Sequence, residues 1–134
     1  MAALRLGLAY FTVVFVAGFL LGTVRTLLLE PRLGADGAEL LEIPIMIAVC
    51  WFVARRLVAR SSLARRSRFL AGAIALTCLL VFEFTVVLAL QGRTLEAWFA
   101  SRASLAGVAW ALSMVLFASL PGLLAPREPG APSR

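Results

Sequence analysis

The stretch LGLAYFTVVFVAGFLLGTV, residues 6–24, decides the fold. Its side chains are apolar, aromatic or small, interrupted only by Thr12 and Thr23. As a helix it would reach about 28 Å at 1.5 Å per residue, close to the hydrocarbon thickness of a bilayer. It is longer than the roughly 7–15 residues of a signal-peptide core. It also runs into Thr23-Val24-Arg25-Thr26 rather than a small-x-small cleavage site. Despite the positive Arg5 before it, the stretch reads as an uncleaved transmembrane helix over about 6–29.

Outward from this helix, the same logic finds three more apolar blocks. The segment Glu30-Pro31-Arg32-Leu33-Gly34-Ala35-Asp36-Gly37 is punctuated by proline and glycine and reads as a loop. The second helix is expected over 40–59. Its uncharged core, 43–54, is short for a span, so Glu42 would mark one end, with Arg55 and Arg56 snorkelling at the other. Pro44 would then fall in the first turn, where a missing N–H costs little. Residues 60–68 form a basic linker. The third helix, about 69–90, is broken by a single charge, Glu83, and Gln91-Gly92-Arg93 ends it. Residues 95–99 are short and amphipathic, with Trp98 suited to an interface. The fourth helix, about 103–124, carries no charge. The proline-rich tail, 125–134, is expected to be disordered and cytoplasmic. The expected fold is all-α: an integral membrane four-helix bundle over 1–124.

Composition agrees. The chain of 134 residues is 62% hydrophobic, with a mean hydropathy of +0.97, whereas soluble domains are about 45–50% apolar. One water-soluble core of this size would not hide that surface. The net charge is +6, and all 13 basic residues are arginine. Because these arginines flank apolar spans, membrane topology explains them better than nucleic acid does. Arg55, Arg56, Arg60, Arg65, Arg66 and Arg68 cluster around the loop between helices 2 and 3, which places that loop in the cytoplasm. Both termini are then cytoplasmic, in agreement with Arg5, Arg127 and Arg134. Arg60, Arg65, Arg66 and Arg68 are also candidate contacts for anionic lipid headgroups.

Histidine is absent, which removes the commonest general base and metal ligand. Cys50 and Cys78 lie within apolar blocks and read as buried free thiols, with no CxxC or zinc spacing. No cofactor or metal motif and no nucleophile–base pair is present, so an enzyme is not expected.

Charge depth singles out one layer. From Phe69 to Glu83 the axial rise is about 21 Å, which leaves Glu83 roughly 9 Å short of the outer edge of a 30 Å core. Arg25 at the end of helix 1 and Glu42 at the start of helix 2 fall in that layer, with Glu30, Glu39, Arg93 and Arg102 just above. A carboxylate facing lipid is costly, so Glu83 should face the interior, a cavity or a partner. Arg25, Glu42, Glu83 and Glu39 form the candidate buried charge cluster, and Arg25 is expected to touch Glu42 or Glu83. The bland role is structural, locking helix 1 against helices 2 and 3. The sharper one makes Glu83 a protonatable coupling site. A deep polar pocket holding Arg25, Glu42 and Glu83 would instead point to an intramembrane enzyme. Gly18 with Gly22, Ala71 with Ala75, and Ala103-Gly107-Ala111 mark expected close helix contacts.

The pattern Gly22-Thr23-Val24-Arg25, then Pro31-Arg32-Leu33-Gly34, then Glu39-Leu40-Leu41-Glu42-Ile43-Pro44-Ile45-Met46 resembles a family of small four-helix inner-membrane proteins of alphaproteobacteria and related bacteria. The likeness extends through the basic linker and Glu83 to Trp98. It implies a bacterial inner-membrane location and this topology, and no activity. The small multidrug resistance family is similar in size but carries its membrane glutamate on helix 1 and has a weak charge bias. Membrane glutathione-transferase-like proteins need asparagine and histidine in helix 2, which this chain lacks. The leading expectation is a non-enzymatic accessory, assembly or structural subunit, with the bilayer and a protein partner or a second copy as its contacts. The alternative is a small oligomeric proton- or ion-coupled transporter or channel using Glu83.

Overall fold

The structure, a computed structural model, describes residues 1–89, 92 and 94–124, with residues 86–88 as backbone only. Leu90, Gln91, Arg93 and the expected tail, 125–134, lie outside the described residues. All regular structure among the described residues is helical. Helix α1 is Ala2–Val24, and a π-helical stretch, Arg25–Leu29, carries it into α2, Glu30–Ala59. Helix α3, Arg65–Phe82, continues as a second π-helical stretch, Glu83–Leu88. A short α4, Leu95–Ser101, precedes α5, Leu105–Leu123.

Three helical stretches are long and apolar enough to cross a membrane: Ala2–Ala59, Arg65–Thr85 and Leu105–Leu123. The first does not run straight. Gly34 has φ 74° and ψ 167°, a conformation that side-chain-bearing residues rarely adopt, and it breaks the helix. Beyond it α2 returns along α1, so that Met46 comes to lie against Gly18. A straight helix would hold those two residues about 42 Å apart.

The segment 30–37, expected as a loop, is therefore helical on both sides of one glycine. Pro31 starts α2 without penalty, because the N–H it lacks would be unpaired in a first turn. Pro44, expected in a first turn, instead sits inside α2, where the Leu40 carbonyl loses its usual donor. The basic linker is shorter than expected as well, because residues 65–68 already belong to α3.

The helices pack most tightly at the end where α1 and α3 begin and α5 ends. A Cβ added at Gly7 would meet the Ala71 carbonyl at 2.6 Å, one at Gly72 would strike Ala118, and one at Gly122 would strike the Phe69 ring. These glycines bring α1 and α5 onto the two sides of α3. Ala71 and Ala75 are fully buried on that seam, as expected. Gly22 meets nothing, so of that pair only Gly18, against Met46, is an interhelical contact; Ala103 and Ala111 are exposed, so their stripe is not an interface.

The core gathers Tyr10, Val14, Cys50, Ala54, Ala75, Phe117 and Leu120. Tyr10 stacks on Phe117 with ring centroids 4.7 Å apart, and its hydroxyl donates to the Phe117 carbonyl at 3.2 Å. Proline explains this bond. The Phe117 carbonyl would normally accept from residue 121, but Pro121 has no N–H. Tyr10 supplies the missing donor from another helix. The outward faces are apolar: Phe19, Leu27, Leu112 and Val115 are each 64–69% exposed. Surface of this kind, continuous over several helices, marks contact with lipid or another apolar partner.

Candidate functional site

At the end opposite the glycine seam, the helices separate around a cavity of about 340 Å³. Its body is apolar, lined by residues such as Val14, Phe15, Met46, Leu79, Phe117 and Leu120. Its charged groups are Arg25, Glu39, Glu42, Glu83 and Arg102. All four residues of the expected cluster therefore line one space, and Arg102 joins them.

Each charged side chain is held by a different element. Arg25 opens the π-helical stretch after α1, and Glu83 opens the one after α3. In the first, the Glu30 N–H donates to the Arg25 carbonyl five residues back, which widens the turn. Glu39 and Glu42 lie on α2, one turn apart, and share a helix face. Arg102 caps the C-terminal end of α4. The turn that carries it closes tightly. Ser104 accepts from the Gly107 N–H at 3.1 Å, and Gly107 sits where any Cβ would strike the Arg102 carbonyl.

The charges pair in two sets. Arg25 Nε lies 3.0 Å from Glu42 Oε2 and 3.7 Å from Glu30 Oε1. The Arg25 Nε–H is enclosed without an aligned acceptor, so the contact with Glu42 is Coulombic rather than a hydrogen bond. Arg102 makes the second set. Its Nη1 donates to Glu39 Oε1 at 2.8 Å and its Nη2 to Glu83 Oε1 at 3.4 Å. Its guanidinium also lies 4.6 Å from the Trp110 ring centroid and 5.2 Å from that of Trp98, within range of cation–π attraction.

Arg25 thus touches Glu42 and not Glu83, whose partner is Arg102. The pairing of Glu39 and Glu83 through one arginine was not expected. The sequence carries a signal for it: Arg102 and Glu83 bracket a connection of fewer than twenty residues, and Arg102 reads just above the layer. What was missing was the direction of the turn at Ser104. Trp98 is buried within the protein, with Phe84, Phe99 and Trp110 around it. Its burial steers the short α4 inward and brings Arg102 with it.

The five charged side chains are each between 15% and 27% exposed. Three carboxylates line the cavity beside two guanidinium groups, so most of their charge is internally compensated. Of the wall's other polar groups, the Ser113 hydroxyl donates to the Trp110 carbonyl at 2.6 Å, and Cys50 is a buried free thiol. Among the described residues no group of three or more His, Cys, Asp or Glu side chains is arranged to hold a metal ion. The arrangement is suited to enclosing an apolar body while presenting both signs of charge to its polar end. Comparison with protein-family models, with curated proteins and with solved structures found no match to this chain.

Proposed function

We propose that the chain is an integral protein of a bacterial inner membrane. Its four spans form a bundle with both termini in the cytoplasm. In this reading it is a non-enzymatic accessory or assembly subunit that holds an amphipathic group, from a lipid or a partner's transmembrane segment, in its cavity. The observation that carries the reading is the cavity's division into an apolar body and a mixed-charge end. Exposed apolar side chains on every long helix support the membrane setting. The fold-back at Gly34 supports reading the first helical stretch as two spans. The arginines at the other end of the molecule support the orientation. The resemblance noted in the sequence agrees with the location.

Arg25, Glu42 and Glu83 do share one space, the condition set above for an intramembrane enzyme. The charges are paired with one another, however, and among the described residues no nucleophile–base pair accompanies them on the wall. Purification in mild detergent tests the proposal. A stoichiometric protein or amphiphile should accompany the chain, and Phe117→Trp, which fills the cavity floor, should release it. Turnover of a lipid or solute by the pure protein, lost in Glu83→Gln, would overturn it.

A second reading rests on Glu83 itself, an acid lining a cavity between apolar helices. Here the chain is a small oligomeric transporter or channel coupled to protons or ions. The bond from Arg102 weighs against it, because a guanidinium already occupies a Glu83 carboxylate oxygen. Ion- or proton-dependent flux in liposomes from a self-oligomer would establish this reading. A monomer without flux would remove it.

A further inference from the structure

The opposite end of the molecule presents a different chemistry. Arg68 is only 6% exposed. Its Nε and Nη1 are enclosed and meet no hydrogen-bond acceptor among the described residues. Arg68, Ala71, Gly72 and Ala75 share the buried face of α3, so Arg68 lies one turn before the seam that Gly7 and Ala118 close. No acidic side chain of the described residues belongs to this end. The described carboxylates sit on the turn after α1, on the first half of α2, at Glu83 and on α4. A guanidinium removed from water without a counter-charge is costly, and such groups are ordinarily paired.

A second feature converges on the same place. Helix α3 starts at Arg65 with Ala64 as its N-cap, and Ala64 offers no side-chain acceptor. The first intrahelical bond here is made by the Arg68 N–H to the Ala64 carbonyl. The N–H groups of Arg65, Arg66 and Ser67 therefore have no helical partner. Side chains on a helix lean toward its N-terminus, so the Arg68 stem runs back over this first turn. Free amides, the positive end of the helix dipole and a guanidinium with no acceptor among the described residues thus belong to one turn of α3. Arg65 and Arg66 are exposed beside them.

We propose that this end of α3 binds a phosphate oxyanion. Arg68 is the enclosed charge, the first-turn amides are the donors, and Arg65 and Arg66 are the outer attraction. Helix N-termini of this kind are anion sites, and arginine matches phosphate geometry. The phosphate comes either from an anionic phospholipid of the facing leaflet or from solution. The site is separate from the cavity and does not depend on what the cavity holds.

The test uses the full chain in nanodiscs of phosphatidylcholine, with and without phosphatidylglycerol, read by native mass spectrometry and thermal unfolding. Phosphatidylglycerol should be retained over phosphatidylcholine by about tenfold or more, the effect expected of charge-assisted hydrogen bonds. Arg68→Gln should abolish the preference and Arg68→Lys should keep part of it. Inorganic phosphate added to phosphatidylcholine discs, against chloride of equal ionic strength, separates the sources. A raised Tm there assigns the site to free phosphate; a response to phosphatidylglycerol alone assigns it to lipid. A folded Arg68→Gln that keeps the full preference overturns the proposal. Should Arg68→Gln fail to fold, the exposed pair Arg65→Gln with Arg66→Gln decides. A lipid preference unchanged in that variant, with no effect of phosphate on the parent, overturns it equally.

Discussion

The two ends of this molecule are built on opposite rules. At one end α3 lies close against its neighbours, because Gly7 and Gly72 let the chains approach to backbone contact and Gly122 admits the Phe69 ring. At the other end the helices part around a cavity and are tied by Arg25 with Glu42 and by Arg102 with Glu39 and Glu83. Charge is distributed inversely. The open end carries both signs in contact. The tight end, from Arg5 and Arg55 to Arg68, carries arginine with no acid among the described residues. Close backbone packing gives rigidity, with unmatched arginine charge at its edge. Paired charge around a void gives a site whose shape depends on those pairs.

Breaking the tight end should have the largest effect. Gly72→Leu drives a side chain into the Ala118 backbone, which no rotamer avoids. It should destabilise the protein by about 3 kcal/mol or more, measured by denaturant titration in detergent micelles, and should leave little folded material. A Gly72→Leu protein as stable as the parent would mean that the seam is not the tight contact described.

Breaking the open end should come next. Arg102→Met strands Glu39 and Glu83 together. Removing one partner of a buried ion pair costs about 3–5 kcal/mol, and the partial exposure here reduces this to about 2 kcal/mol. The triple change that adds Glu39→Gln and Glu83→Gln should recover most of the loss, because no unpaired charge is left. Failure to recover would show that Arg102 acts through its contacts with Trp98 and Trp110 instead.

A smaller effect tests the join between the two ends. Tyr10→Phe leaves the Phe117 carbonyl without a donor and should cost about 1–2 kcal/mol. Pro121→Ala restores the helical N–H, so Tyr10→Phe should cost markedly less in that background. Equal costs in both backgrounds would dissociate the Tyr10 bond from the proline. The smallest effect is expected for Arg25→Gln, about 1 kcal/mol or less, since its contact with Glu42 is unaligned and partly exposed.

Much of this molecule was legible in the chain. Apolar length alone indicated helices able to cross a membrane, and the positions of Arg25, Glu42 and Glu83 along their helices placed them at one depth. Those properties add up residue by residue, so a linear reading captures them. Small-residue spacing was a weaker guide. Ala71 and Ala75 were found, but Gly7, Gly72 and Gly122 were not, because spacing marks which residues could lie close and not which faces meet. The helical character of 30–37 is hidden by Pro31, Gly34 and Gly37, of which only Gly34 breaks the helix.

What the sequence determined by itself is hydropathy, charge sign and depth: apolar helices, an arginine-rich end and a mixed-charge layer. The tertiary structure alone decided the partners. Successive residues turn by about 100° around a helix axis, so an error of one residue points a side chain at a different neighbour. The π-helical stretches that begin at Arg25 and Glu83 add such an offset without any sequence mark. Depth could place Glu83 in the layer of Arg25. Only the packing of Trp98 and the turn at Gly107 could bring Arg102 to it.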